Sequence, residues 1–294
     1  MTSSRRILPG FGPSLGFTLF YLTLLVLVPL GALFVKTSQL TWERFRETVT
    51  DPVVVSSYRL SFQASIAAAA INGVFGLVVA WVLVRYPFPG RRLLDAVVDF
   101  PFALPTAVAG LTFGSLYMRV PWIDAVRIGT WITRGINAVL SRTGVGTVSA
   151  EALSGLDEFR VIVMLVFVGL PFVVRTVQPV LQDFDPEVEQ AAHSLGAGRW
   201  TVFRRLVFPH IFPAWVSGVA LAFARAVGEY GSVIFVAGNI PGKSQIAPLQ
   251  IITKLDDYRY AEATAIGVVL LSVSLAILLV INGLEWWARR HERA

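Results

Sequence analysis

Between Arg59 and Arg85 the chain runs for 25 residues, Leu60–Val84, without one charged side chain. About 20 apolar residues in a helix span the hydrocarbon of a bilayer, where every backbone N–H and C=O must be satisfied without water. Two further runs are of the same kind. Gly16–Val35 has 20 uncharged residues and follows Arg5 and Arg6. Ala263–Leu284 has 22 and ends in Glu285-Trp286-Trp287 before Arg289-Arg290, and Trp beside Arg is an interfacial anchor. Three more spans are less regular. Phe100–Met118 is interrupted by Pro101 and Pro105. Val161–Val174 is bounded by Arg160 and Arg175 and continues to Leu181. Ile211–Ala237 carries Arg225 and Glu229. The fold class this implies is an all-α polytopic membrane protein with six transmembrane helices.

Composition excludes the alternatives. Of 294 residues, 55% are hydrophobic and only 15% charged, where a soluble domain carries roughly 25% charged residues. The absence of Cys excludes a disulfide scaffold. A net charge of +6 would suggest nucleic acid in a soluble chain. Here the basic residues flank spans and face anionic lipid, so the bilayer is the expected partner and nucleic acid is not.

The first apolar run is too long for a signal peptide and lacks a cleavage pattern at Gly31-Ala32-Leu33, so it is expected to be retained. Six spans put both termini on one side. The short basic flanks at 85–92 and 289–293 orient that side to the cytoplasm. Small residues spaced by four, Gly218/Ala222/Ala226 and Ala224/Gly228/Ser232 on span five and Ala69/Gly73 and Gly76/Ala80 on span two, allow close helix packing. Between 119 and 159, Trp122, Ile123, Val126, Trp131, Ile132, Ile136 and Val139 suggest an amphipathic interfacial helix.

Residues 183–210 read DFDPEVEQAAHSLGAGRWTVFRRLVFPH. Asp185 is a good N-cap, Pro186 suits the first helical position, and Glu187 and Glu189 favour the first turn. Gly196 is a helix stop. A second helical stretch, Gly198 to Phe208, is expected to end at Pro209. Ala191, Ala192 and Leu195 form a small apolar face. By physics alone the segment is either a docking element for a soluble partner or a solvated connector.

This segment resembles the signature of the membrane subunits of ABC importers: Glu-Ala-Ala, three residues, Gly, nine residues, Ile-x-Leu-Pro. Gln190-Ala191-Ala192, Gly196, then Leu206, Phe208 and Pro209 match that spacing throughout. Gln190 stands where the motif has Glu, with Glu189 adjacent. The resemblance implies that the segment is a coupling helix docking into a cytoplasmic ATPase through Glu189, Gln190, Ala191, Ala192, Gly196, Leu206 and Pro209. Residues 85–117, 171–181 and 223–267 are similar to the T-type permeases of sulfate/thiosulfate importers. The paralogous W-type and molybdate permeases share the Pro-containing third span and Ala224-Arg225-Ala226-Val227-Gly228-Glu229. A molybdate permease would lack the first span.

The resemblance implies a type I ABC importer permease fold in a bacterial inner membrane. It divides the chain into an N-terminus, first helix and outer loop (1–54), a permease core (55–287) and a cytoplasmic tail (288–294). It also implies a W-type second permease, two ATPase subunits that bind ATP-Mg, and a soluble sulfate-binding protein outside. No cofactor and no catalytic residue are expected in this chain. A permease for a related oxyanion such as molybdate is the near alternative. A stand-alone secondary anion transporter is the alternative from another class, and it would need an internal repeat and midplane ion sites.

Ala237-Gly238-Asn239-Ile240-Pro241-Gly242-Lys243-Ser244 fits a loose P-loop pattern, but such a loop needs a preceding strand and a helix opening at the Lys. A turn leaving the membrane is the expected structure. The histidines, His193, His210 and His291, form no metal motif. Arg225 and Glu229, four apart, are expected to share a face of span five, as an internal ion pair, a pathway element or both. Asp99 and Arg175 are expected near the interface, and Asn72 and Gln63 to bond across helices. Pro101 and Pro105 free backbone groups, which makes the start of span three a candidate pathway wall.

Overall fold

A computed structural model describes residues 11–119 and 156–291. All regular structure among the described residues is helical. In chain order the helices are α1 (Phe11–Thr37), α2 (Trp42–Val49), α3 (Pro52–Arg85), α4 (Arg91–Val98), α5 (Phe100–Ala103) and α6 (Thr106–Arg119). Then come α7 (Leu156–Gln182), α8 (Pro186–Ser194), α9 (Arg199–Val227), α10 (Val233–Val236), α11 (Ala247–Asp256) and α12 (Tyr260–His291). The amphipathic helix expected within 119–159 lies outside the described residues.

Five helices, α1, α3, α7, α9 and α12, are long and apolar enough to cross a membrane. The expected third span is broken. Pro101 does not interrupt it but sits in the first turn of α5, where a missing N–H costs nothing. The interruption is at Leu104, held extended before Pro105, and α6 then restarts at Thr106.

Local sequence explains the long helices' starts and irregularities. Asp51 caps α3 by accepting from Val53 N at 2.8 Å, with Pro52 in the first turn. α1 and α9 each contain one widened turn, with Val28 N–H donating to Thr23 O and Phe208 N–H to Phe203 O. Each lies immediately before a proline, Pro29 or Pro209. A proline ring collides with the carbonyl four residues back, and an extra residue in the turn moves that carbonyl aside. This corrects the expected helix end at Pro209: α9 passes through it, so the segment after Gly198 and span five are one helix.

The core is α3, α7 and α9. Ala80 and Leu83 of α3, Val173, Val174, Val177 and Leu181 of α7, and Val207 and Ile211 of α9 are buried together. In lipid this packing is driven by van der Waals contact, not by the exclusion of water. Most of the expected small residues are in place: Ala69, Gly73, Gly76 and Ala80 are buried on α3, and Gly218, Ala222 and Ala226 on α9, but the Ala224/Gly228/Ser232 row does not form because α9 ends at Val227. Trp215 Nε1 donates to Gly73 O at 2.7 Å across that contact. α12 joins through Leu270, Ile277 and Leu278 against Phe223 and Val227. α1 lies outside, with Leu33 near Gly267 of α12.

The ends of α1 and α2 and the starts of α3 and α12 share one face. Tyr58 Oη donates to Ile266 O at 3.2 Å there, and Arg44 reaches Glu262. α3 carries the chain about 50 Å to the opposite face, where α8 sits.

Candidate functional site

The α8 segment is built as a rigid unit. Asp185 accepts from Glu187 N at 2.8 Å and caps the helix. At the other end Gly196 has φ +83°, Gly196 N donates to His193 O at 2.9 Å, and Ala197 N to Ala192 O at 3.0 Å. That pair of bonds is the left-handed helix stop, and a side chain at Gly196 would be strained there.

One side of α8 is fastened to the bundle. Glu189 forms an ion pair with Arg85, the last residue of α3, and the Arg85 guanidinium lies 5.3 Å over the Trp81 ring. Ala192 and Ala197 pack against the core, and Phe184 meets the His210 ring edge-on at 5.0 Å. The other side is open. Val188, Gln190, Ala191 and Leu195 are exposed, Leu195 to 89%. The apolar face expected from Ala191, Ala192 and Leu195 is thereby corrected. The outward face is Val188, Ala191 and Leu195, spaced three and four apart, while Ala192 turns inward. Glu189 is engaged within the chain, and Gln190 faces outward. Leu206 and Pro209 do not join this surface. Leu206 packs on the core, and Pro209 shapes the widened turn of α9.

Arg225 and Glu229 pair as expected, but not along one helix. α9 ends at Val227 with Gly228 beyond it, so Glu229 lies in the irregular stretch before α10. Glu229 is 2% exposed, and its carboxylate accepts from Ser232 N at 3.0 Å and Ser232 Oγ at 2.8 Å. Both oxygens are therefore used within the chain. The Arg225 side chain is 35% exposed. The stretch is pressed onto α6: a Cβ on Gly110 would lie 2.8 Å from Ser232 Cα, and one on Gly114 2.7 Å from Phe235 O. Thr106, next to Pro105, meets Gly231. Pro101 is elsewhere, next to Phe102, which stacks edge-on against Phe172 at 5.2 Å.

Two clusters escaped the sequence reading. Arg175 of α7 donates from Nε and Nη2 to the two oxygens of Asp99 at 2.7 and 2.6 Å, and from Nη1 to Asp95 at 2.7 Å and Gln178 at 2.6 Å. Asp95 and Asp99 are four apart at the end of α4, so this one fork ties α4 to α7. An arginine inside an apolar run, with no carboxylate three or four residues away in its own helix, was the available signal. On the opposite face Glu262 takes Arg44 at 2.9 Å, Arg259 at 2.6 Å and Lys254 at 3.3 Å. The Glu262 hydrogen bond holds the Arg44 guanidinium above its usual value.

The P-loop-like stretch is a turn with Asn239 at φ 53° and Gly242 at φ 78°. The next helix, α11, opens at Ala247 and not at Lys243. No group of three or more metal-ligating side chains occurs among the described residues.

Residues 72–293 match the family described as binding-protein-dependent transport system inner membrane component. The chain is 45% identical over 283 residues to the sulfate transport system permease protein CysT of Escherichia coli (strain K12), covering 96% of this chain and 95% of that one. It is 48% identical over 268 residues to the probable sulfate transport system permease protein cysT of Nephroselmis olivacea, covering 91% and 87%. A bacterial alginate ABC transporter, solved with a pentasaccharide-bound periplasmic protein, has the same fold: TM-score 0.69 at 16% identity, covering 92% of both chains.

Proposed function

The chain belongs to the family of binding-protein-dependent transport system inner membrane components, and on that premise we propose how it moves its substrate. It is a permease subunit of a sulfate ABC importer, a multi-pass membrane protein whose system includes a substrate-binding protein. The finer reading is that it forms half of the path for sulfate or thiosulfate beside a W-type permease. Two ATPase subunits dock on the same side of the membrane, one on α8 and one on the matching helix of the second permease, and they bind and hydrolyse ATP-Mg while this chain does no chemistry of its own. The α8 face, with both termini, is then cytoplasmic.

The observation that supports this reading best is the two-sidedness of α8. Val188, Ala191 and Leu195 face outward for a partner, while Glu189, Ala192 and Ala197 fasten the helix to α3 and the core. A push on Leu195 travels through Arg85 into α3 and through the short 195–198 link into α9. A capped nine-residue helix moves as a body and does not absorb the displacement. On the path, Arg225 is proposed to meet the dianion, with Glu229 positioning it, because an oxyanion favours a guanidinium over a carboxylate.

The test reconstitutes the chain with its second permease and binding protein in vesicles, with and without the ATPase, and measures labelled sulfate uptake. Uptake that requires both ATP and the ATPase is expected. Uptake driven by an ion gradient without the ATPase overturns the reading.

A further inference from the structure

We propose that the groove between α3 and α9 on the α8 face is a binding site for an anionic phospholipid. Leu77, Val78 and Trp81 of α3 and Arg199, Trp200 and Phe203 of α9 line a groove of about 460 Å³. Its depth sets what can enter. Leu77 lies eight residues before the end of α3, about 12 Å along the helix axis from Arg85. The groove therefore starts at the membrane surface and runs into the hydrocarbon, where a soluble subunit cannot follow.

The walls suit an acyl chain. Phe203 meets Trp81 edge-on at 5.3 Å and stacks on Trp200 at 5.5 Å, so the aromatic side is rigid. A helix of a second permease fits less well, because helix contacts in lipid favour small residues and this wall carries two Trp and a Phe. The mouth suits an anion. Arg199 is exposed, and Trp200, 70% exposed, sits beside it at the headgroup level. The neighbouring Arg85 is neutralised by Glu189. Arg199, the one cation lining the groove, makes no ion pair among the described residues. An uncompensated Arg199 at the mouth of an apolar slot between two spans recognises a phosphodiester that carries a fatty chain.

The test places the assembled transporter in nanodiscs of phosphatidylcholine doped with phosphatidylglycerol bearing a photoreactive acyl chain. Crosslinked peptides are then mapped. The proposal expects labels on 77–81 and 199–203 that unlabelled phosphatidylglycerol displaces and phosphatidylcholine does not. Arg199→Gln lowers the labelling about fivefold, the worth of one surface cation, and Val78→Trp, which fills the slot, abolishes it. Equal labelling by a phosphatidylcholine probe overturns the proposal, as does labelling that survives both substitutions. Labels present on the isolated chain but absent from the assembled complex also overturn it, since a protein partner then covers the groove.

Discussion

Arg85 closes α3 and holds Glu189 of α8, 104 residues later in the chain, in an ion pair only about one-fifth exposed. The link joins a long membrane helix to a short one lying outside the bundle.

Breaking it uncouples the two. Glu189→Gln is expected to cost about 1–3 kcal/mol, because it leaves a partly buried guanidinium without its counter-charge. Uptake falls more than ATPase association does, because the outward face of α8 is untouched. The swapped pair, Arg85→Glu with Glu189→Arg, is expected to regain part of the lost uptake, measured with labelled sulfate.

Leu195→Asp separates docking from folding. Leu195 is 89% exposed and supports nothing inside the chain. Thermal unfolding of the detergent-solubilised subunit is expected to be unchanged, while co-purification of the ATPase is lost. Co-purification at the normal level would remove the Val188–Ala191–Leu195 face from the docking surface.

Gly196→Ala forces a Cβ onto a φ of +83° in otherwise open space. The strain alone is worth about 1 kcal/mol. The helix stop loosens, and ATPase affinity is expected to drop by about fivefold, read by titration of the solubilised complex.

Gly110→Leu and Gly228→Ala test the contact between α6 and the stretch after α9. A side chain at Gly110 runs into the Ser232 backbone, which cannot give way as a flexible side chain could. It is expected to cost at least about 3 kcal/mol and to remove folded protein from the membrane fraction. Gly228 has nothing within 4 Å, and Gly228→Ala is expected to insert and fold normally. Equal expression of both would mean that the close approach at Gly110 is not a folding constraint.

Glu229→Gln leaves Arg225 without its ion partner at membrane depth, at a cost of several kcal/mol. Adding Arg225→Gln removes the orphan charge, so the double variant is expected to regain stability but not uptake. Recovery of uptake by the double variant would assign the pair a structural role only.

Much of this was legible residue by residue. Long uncharged runs, Asp-Pro helix starts at 51–52 and 185–186, the stop at Gly196 and the spacing of 190–209 are local features, and local hydrogen bonding and steric limits decide them. The broken helix at Leu104-Pro105 was legible for the same reason. Glu229 was misplaced because periodicity carries a helix on past a Gly unless something outside the helix bends it, and here α6 does so through Gly110 and Gly114. Ala192 was turned the wrong way because two adjacent alanines look alike until the packed side of the helix is known.

The chain's own order of residues thus determined that it crosses a membrane repeatedly and that one short polar helix, capped at both ends, stands outside the bundle. Those outcomes depend on interactions within about four residues and on the thickness of a bilayer. Only the tertiary structure decided that Glu189 answers Arg85, that Arg175 answers Asp95 and Asp99, and that Arg199 is left without an answer. Partner choice across dozens of residues depends on which helix faces meet, and in lipid that is set by close packing in three dimensions, which no single helix's periodicity records.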